Sequence, residues 1–121
     1  MRLRLFKTRN FADAASRAWI YDSELREAFG ELLKGQADNL GGGVWKKRLK
    51  ENRHRSIVLA KGRHYWVYQS LFDKQRQSNI SPKELGRLRA LAKVYENLSE
   101  AQLRYLLDAK DFVEINHDQK I

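Results

Sequence analysis

Residues 44–76 read VWKKRLKENRHRSIVLAKGRHYWVYQSLFDKQR, and three runs within them have the composition of strands: Val44 to Lys50, Arg55 to Ala60 and Arg63 to Phe72. β-Branched and aromatic residues fill the last two, and Lys61-Gly62 supplies a tight turn between them. The spacing predicts an antiparallel meander. The same stretch holds ten Lys/Arg, at 46, 47, 48, 50, 53, 55, 61, 63, 74 and 76, against Glu51 and Asp73. Residues 1–43 carry seven basic and six acidic side chains and residues 77–121 carry seven of each, so eight of the nine units of net charge fall on the meander. Trp45, Tyr65, Trp66 and Tyr68 are interleaved with these cations. Such a sheet can neutralise phosphates and stack on bases, which is the physical requirement for binding RNA.

Outward from the meander, Arg2-Leu3-Arg4-Leu5-Phe6 alternates as a half-buried strand does, and Thr8 or Asn10 can cap the next helix. Phe11, Ala14, Ala15, Ala18 and Trp19 fall at helical spacing. Tyr21-Asp22-Ser23 interrupts and recaps a second helix, whose Leu25, Ala28, Phe29, Leu32 and Leu33 form one apolar stripe ended by Gly35. Asn39-Leu40-Gly41-Gly42-Gly43 lacks the Gly-Lys-Ser/Thr ending of a phosphate-binding loop and reads as a flexible lead-in to the sheet. On the far side, Ser81-Pro82-Lys83-Glu84 has an N-cap, a proline at the first helical position and a glutamate three residues on. Leu85, Leu88, Leu91, Ala92 and Tyr95 supply that helix's buried face. Ser99 with Gln102 starts a shorter helix carrying Leu103, Leu106 and Leu107, and Phe112 to Ile115 reads as a last strand.

A chain of 121 residues fits one domain, expected over 1–115 with a frayed tail at 116–121. The absence of Cys removes disulfides, thiolate nucleophiles and sulfur-based zinc sites. His54, His64 and His117 do not form a ligand set, so neither a metal nor another cofactor is expected. No apolar run approaches the ~18 residues of a membrane span, and the charged start is no signal peptide. A soluble cytoplasmic protein without membrane partners is expected.

The order strand, helix, helix, three strands, helix predicts a helical hairpin on one face of the sheet and an open, basic opposite face. Alternation places Lys46, Arg48 and Lys50 on one side of their strand and Trp45, Lys47 and Leu49 on the other, and it likewise separates Arg53 and Arg55 from His54. Pattern alone does not orient these sets. Metal-free RNA cleavage needs a base for the 2′-hydroxyl, cations for the phosphorane and an acid for the 5′-oxygen. His54 titrates near neutral pH, Arg55 and Arg48 can clamp phosphate oxygens as exposed cations, and Lys46, Lys47 or Lys74 can act as bases if like charges crowd them. Tyr65 or Tyr68 can donate a proton or stack. Lys50, Arg53, Lys61, Arg63 and Arg76 complete the expected RNA-binding set.

These residues resemble a known family. Leu40-Gly41-Gly42-Gly43 with Lys46-Lys47-Arg48, then Arg55 opening a strand, an aromatic strand, Phe72-Asp73-Lys74 before Asn79-Ile80, and the Lys83-Glu84-Leu85 helix are similar, in order and spacing over about 3–115, to the RelE/ParE superfamily of toxins, in particular its HigB-like RelE branch. The resemblance implies a type II toxin that binds the ribosome, cuts mRNA in the decoding site and is held inactive by a cognate antitoxin carrying a helix-turn-helix DNA-binding domain. The family's longer Gly/Lys-rich loop before Arg55 is replaced here by Glu51-Asn52-Arg53-His54, for which His54 is the expected compensating base. The strand before Phe72 is also about two residues longer than the family's. The reading is therefore an α+β fold, a small antiparallel sheet with an N-terminal helical hairpin on one face and C-terminal helices at the edge. Its expected activity is that of a ribosome-dependent endoribonuclease. A ParE-like inhibitor of DNA gyrase and a non-catalytic RNA-binding module are the rival readings on the same fold.

Overall fold

The computed structural model describes residues 3–61, 65–75 and 79–116. The chain runs β1 (Arg4–Thr8), α1 (Arg9–Arg17), α2 (Asp22–Leu33), β2 (Asp38–Gly41), β3 (Val44–Leu49), β4 (His54–Lys61), β5 (Tyr65–Asp73), α3 (Pro82–Glu96), α4 (Glu100–Asp108) and β6 (Phe112–Ile115). The strands form one six-stranded sheet in the order β2-β3-β4-β5-β1-β6. The predicted meander is β3-β4-β5, antiparallel throughout. β1 joins it parallel to β5, and β6 closes the far edge antiparallel to β1. The Lys61-Gly62 turn lies outside the described residues.

Helix starts obey the capping chemistry of the sequence. Thr8, not Asn10, caps α1, its hydroxyl accepting from the Phe11 N–H at 3.0 Å. Ser81 accepts from the Glu84 N–H, and Ser99 with Gln102 forms a reciprocal capping box. The glycine cluster is not a flexible lead-in. It closes a β2–β3 hairpin with Gly41, Gly42 and Gly43 all at positive φ, and a Cβ at Gly42 would meet the Arg89 side chain at 2.8 Å. β2 escapes a pattern search because its sequence, Asp-Asn-Leu-Gly, is poor in strand-forming residues.

The expected open face is covered. Leu3, Leu5, Val58 and Tyr68 pack with Phe11, Leu25 and Phe29 under α1 and α2. On the other side, Val44, Ile57 and Leu59 pack against Leu88 and Ala92 of α3, while Phe6, Tyr65 and Val67 meet Leu103 of α4 and Phe112. The C-terminal helices thus lie over the second face, not at the edge, because Ile57, Leu59 and Val67 give that face its own apolar surface to bury.

Parity along β5 changes once. Ile57 pairs with Ser70 but Val58 pairs with Tyr68, so Gln69 is an extra, bulged residue. Tyr68 and Leu71 consequently face α1 and α2, while Ser70 and Phe72 face α3. The two extra residues of this strand relative to the family pattern are accommodated in part by that bulge.

Tyr65 and Tyr68 belong to the core, contrary to the expectation that they contact RNA. The Tyr68 hydroxyl donates to the Leu25 carbonyl at 2.8 Å and that of Tyr65 to the Tyr95 carbonyl at 2.7 Å. Burial raises the pKa of both, Tyr65 to about 12, and Tyr95 likewise rises to about 12. The folded state therefore holds these protons more tightly than the unfolded chain. Their contribution to stability is complete below the ordinary tyrosine pKa of about 10 and is lost as pH rises from there toward 12. The urea midpoint should accordingly fall steadily above about pH 10. Tyr68→Phe, which removes one buried hydrogen bond, should lower the unfolding free energy by about 1–2 kcal/mol in urea titrations at neutral pH.

Candidate nucleic-acid interface

The cations of residues 44–76 divide into two groups according to their counter-ions. Lys47 is 8% exposed, faces α2 and pairs with Glu31 at 2.9 Å. Lys46 lies 3.8 Å from Asp38 on the neighbouring β2. Lys50 is held internally, its ammonium donating to the Ala18 carbonyl and its backbone N–H to the Glu24 carboxylate. By contrast, Arg48, Arg53, Arg55 and Lys74 have no carboxylate within ion-pair distance among the described residues. All four sit at the same end of the sheet.

Register explains the convergence. Arg48 on β3 is directly opposite Arg55 on β4, and Arg55 is opposite Phe72 on β5. Strand alternation puts these three on the α3 side, one step beyond Ile57 and the apolar cluster that α3 covers. Lys74 comes directly after, its N–H donating to the Arg53 carbonyl at 3.1 Å. Like charges directly opposite each other destabilise a sheet. No acid among the described residues neutralises the Arg48–Arg55 pair, so its location makes it a site for an external anion.

Arg55 differs from the exposed clamp expected of it. It is only 7% exposed, and its Nη1 donates to the Asn52 carbonyl at 3.0 Å and the His54 carbonyl at 3.3 Å. Those bonds tie the guanidinium to the β3–β4 turn. The turn is tight: the Arg53 N–H donates to the Lys50 carbonyl at 3.0 Å, and Lys50, Glu51 and Asn52 all have positive φ without a glycine among them. Each such residue costs about 1 kcal/mol or more. Glu24 of α2, by accepting from the Lys50 N–H, stabilises this arrangement, a role no sequence spacing suggested.

His54 is not brought together with Arg55. It pairs with Leu49 and Asp73 and shares the α1/α2 face with Leu49, so its side chain leaves the sheet on the side opposite Arg48 and Arg55. Its Nδ1 is buried without a hydrogen-bond partner among the described residues. The same geometry separates Lys47 from the arginines. The side chains of Lys61, Arg63 and Arg76 lie outside the described residues.

The cation set, the aromatic Phe72 and the strand order agree with the comparison to protein families. Residues 3–115 match the family described as the RelE toxin of the RelE / RelB toxin-antitoxin system. The chain belongs to the RelE toxin family. No curated protein matches it significantly. As a RelE toxin it is one half of a toxin–antitoxin pair, with an antitoxin for partner. Among its described residues no helix is long and apolar enough to cross a membrane.

Arg48 and Arg55 should separate under substitution. Arg48→Ala removes an exposed, unpaired side chain and should change stability by no more than about 0.5 kcal/mol. Arg55→Ala removes the anchor of the turn and should cost about 1–3 kcal/mol. Urea denaturation of the two variants checks the difference, and makes Arg48 the cleaner probe of function.

Proposed function

We propose that this RelE toxin is a ribosome-dependent endoribonuclease of the HigB-like branch, cutting mRNA without a metal ion. The observation that carries the reading is the in-register Arg48–Arg55 pair with Lys74 and Phe72 beside it and no compensating carboxylate among the described residues. In-line attack of a 2′-oxygen on the adjacent phosphorus forms the 2′,3′-cyclic phosphate and breaks the P–O5′ bond. One proton leaves the 2′-hydroxyl and one is taken up by the 5′-oxygen. Two guanidinium groups fixed on neighbouring strands present a planar array of donors to the non-bridging oxygens, where negative charge grows as the phosphorane forms. Arg55 is preorganised by its bonds to the turn, so little reorganisation accompanies the reaction. Lys74 supplies the ammonium that protonates the departing 5′-oxygen, and Phe72 offers a flat apolar surface to a neighbouring base.

His54 takes no part in this scheme, since it projects from the other face of the sheet. The proton of the 2′-hydroxyl passes to water, so the rate should rise with pH through the neutral range with no inflection from an imidazole. His54→Gln should leave that profile unchanged. An acidic limb near pH 6 that disappears in His54→Gln would restore the histidine as the base.

Expression without the antitoxin should arrest growth and produce new 5′-hydroxyl ends within translated transcripts, read by end mapping. Arg48→Ala and Lys74→Ala should each reduce cleavage by about 10²-fold or more while remaining folded. Intact transcripts with inhibited DNA supercoiling would assign the protein to the gyrase-directed reading. Intact transcripts with normal growth at good expression would leave a non-catalytic RNA-binding module.

A further inference from the structure

The α1–α2 connector departs from the helix-end chemistry used elsewhere in the chain, twice in three residues. α1 ends with the Ile20 N–H bonded to the Ala15 carbonyl at 2.9 Å and that of Trp19 to Ser16, with Trp19 at φ 60°. This is a left-handed C-terminal cap, a position that favours glycine. α2 ends the same way and uses Gly35 there, at φ 87°. Then α2 begins at Tyr21, whose side chain makes no capping bond, whereas α1, α3 and α4 begin with Thr8, Ser81 and Ser99. Trp19 and Tyr21 are 70% and 64% exposed. Helical periodicity places Trp19 on the buried stripe of α1; it lies instead just past that helix, facing solvent. Neither aromatic serves the core, and at both positions a different residue would stabilise the fold.

The connector is fastened to the β3–β4 turn by the Lys50 ammonium on the Ala18 carbonyl and by Glu24 on the Lys50 N–H. Four of the five non-glycine residues at positive φ among the described residues, Trp19, Lys50, Glu51 and Asn52, therefore meet at this one place. Such strain gathers where function maintains it. Nearby acids are largely taken up internally, Asp22 by Lys7 at 2.7 Å and Glu24 by Lys50, while Arg17 and Arg53 are exposed without ion-pair partners among the described residues. Glu51 is an exposed carboxylate on the turn itself, and the adjoining Arg48, Arg55 and Lys74 outnumber it. An aromatic pair beside a surplus of unpaired cations matches a polyanion with π-faces.

We infer that Trp19 and Tyr21 form a stacking platform for unpaired bases of the RNA strand whose phosphates lie on the Arg48, Arg53, Arg55 and Lys74 cluster. The inference rests on the proposed ribonuclease reading for where that strand lies, but it concerns binding, not cleavage.

The test compares the purified full chain with Trp19→Gly, Tyr21→Ser and Trp19→Phe, using fluorescein-labelled decauridine and anisotropy over a salt series, with melting temperatures measured in parallel. Trp19→Gly and Tyr21→Ser should each melt higher, Trp19→Gly by about 2 °C or more. Each should also bind decauridine about fivefold or more weakly, with the salt slope unchanged because no phosphate contact is lost. Trp19→Phe keeps a stacking ring in the same strained position, so it should hold affinity within about threefold and gain no stability. A variant set that binds like the native chain overturns the proposal. So does a native chain with no affinity for decauridine, or a loss of affinity accompanied by a shallower salt slope. Weakened antitoxin binding with RNA affinity intact overturns it in favour of a protein-docking surface. The two readings fail separately. A native chain that cleaves mRNA as well as Trp19→Gly does, with equal affinities, removes only the platform; Trp19-dependent RNA binding without cleavage removes only the ribonuclease.

Discussion

A strand covered on both faces can carry unpaired charge only at its ends, and β4 is such a strand. Val58 is sealed under α1 and α2, and Ile57 and Leu59 lie under α3. A charge at any of these positions would need a buried partner or would cost several kcal/mol. The ten cations of residues 44–76 are distributed under this constraint. Those of β3 within the covered part of the sheet, Lys46 and Lys47, have acquired Asp38 and Glu31. Those at the β3–β4 end have acquired none among the described residues. The segregation of charge along one direction of the sheet, more than its total, creates a localised positive field.

Much of the architecture was legible because the relevant signals are local. Ser81-Pro82 and the Ser99/Gln102 box announce helix starts within four residues, and the β-branched run Ile57-Val58-Leu59 announces a strand. The features that escaped are non-local. β1 looks the same in sequence whether its neighbour runs parallel or antiparallel, and nothing in Leu85 or Leu88 says that α3 lies over the second face instead of the edge. Alternation separated Arg55 from His54 correctly but could not orient either. Their functional standing changed once Ile57 was seen to face α3 and Leu49 to face α2.

The tyrosines show a subtler limit. Tyr65 and Tyr68 are three residues apart and so fall on opposite faces of β5, Tyr65 in the α4 cluster and Tyr68 in the α1/α2 cluster. An aromatic residue in a basic segment suggests nucleic acid only if one face of the sheet is open. With both faces closed, each hydroxyl finds a backbone carbonyl on the covering helix and each ring becomes core. The bulge at Gln69 then sets the parity of residues 70–73, so that Phe72, not Tyr68, shares the face of Arg55. A strand of unbroken alternation would have turned Phe72 toward α2.

The β3–β4 end and the α1–α2 connector together hold the arrangements that folding alone would avoid: two arginines in register, three consecutive left-handed residues in the turn and an exposed tryptophan where glycine fits best. The first is electrostatic and the others are conformational, and they respond to ligands differently. Binding an anion relieves the repulsion between Arg48 and Arg55, so RNA and an acidic segment of the antitoxin gain from the same source and compete for it. The left-handed turn is indifferent to charge; it serves to keep the Asn52 and His54 carbonyls where they hold the Arg55 guanidinium. Glu24 connects the two, since its carboxylate fixes the turn from α2 while occupying a groove of about 600 Å³ whose other wall carries Arg48 and Arg53. A partner that drew Glu24 away would loosen the turn and disorient Arg55 without touching either arginine. The same α2 contact that stabilises the fold therefore also sets the geometry of the phosphate-binding pair.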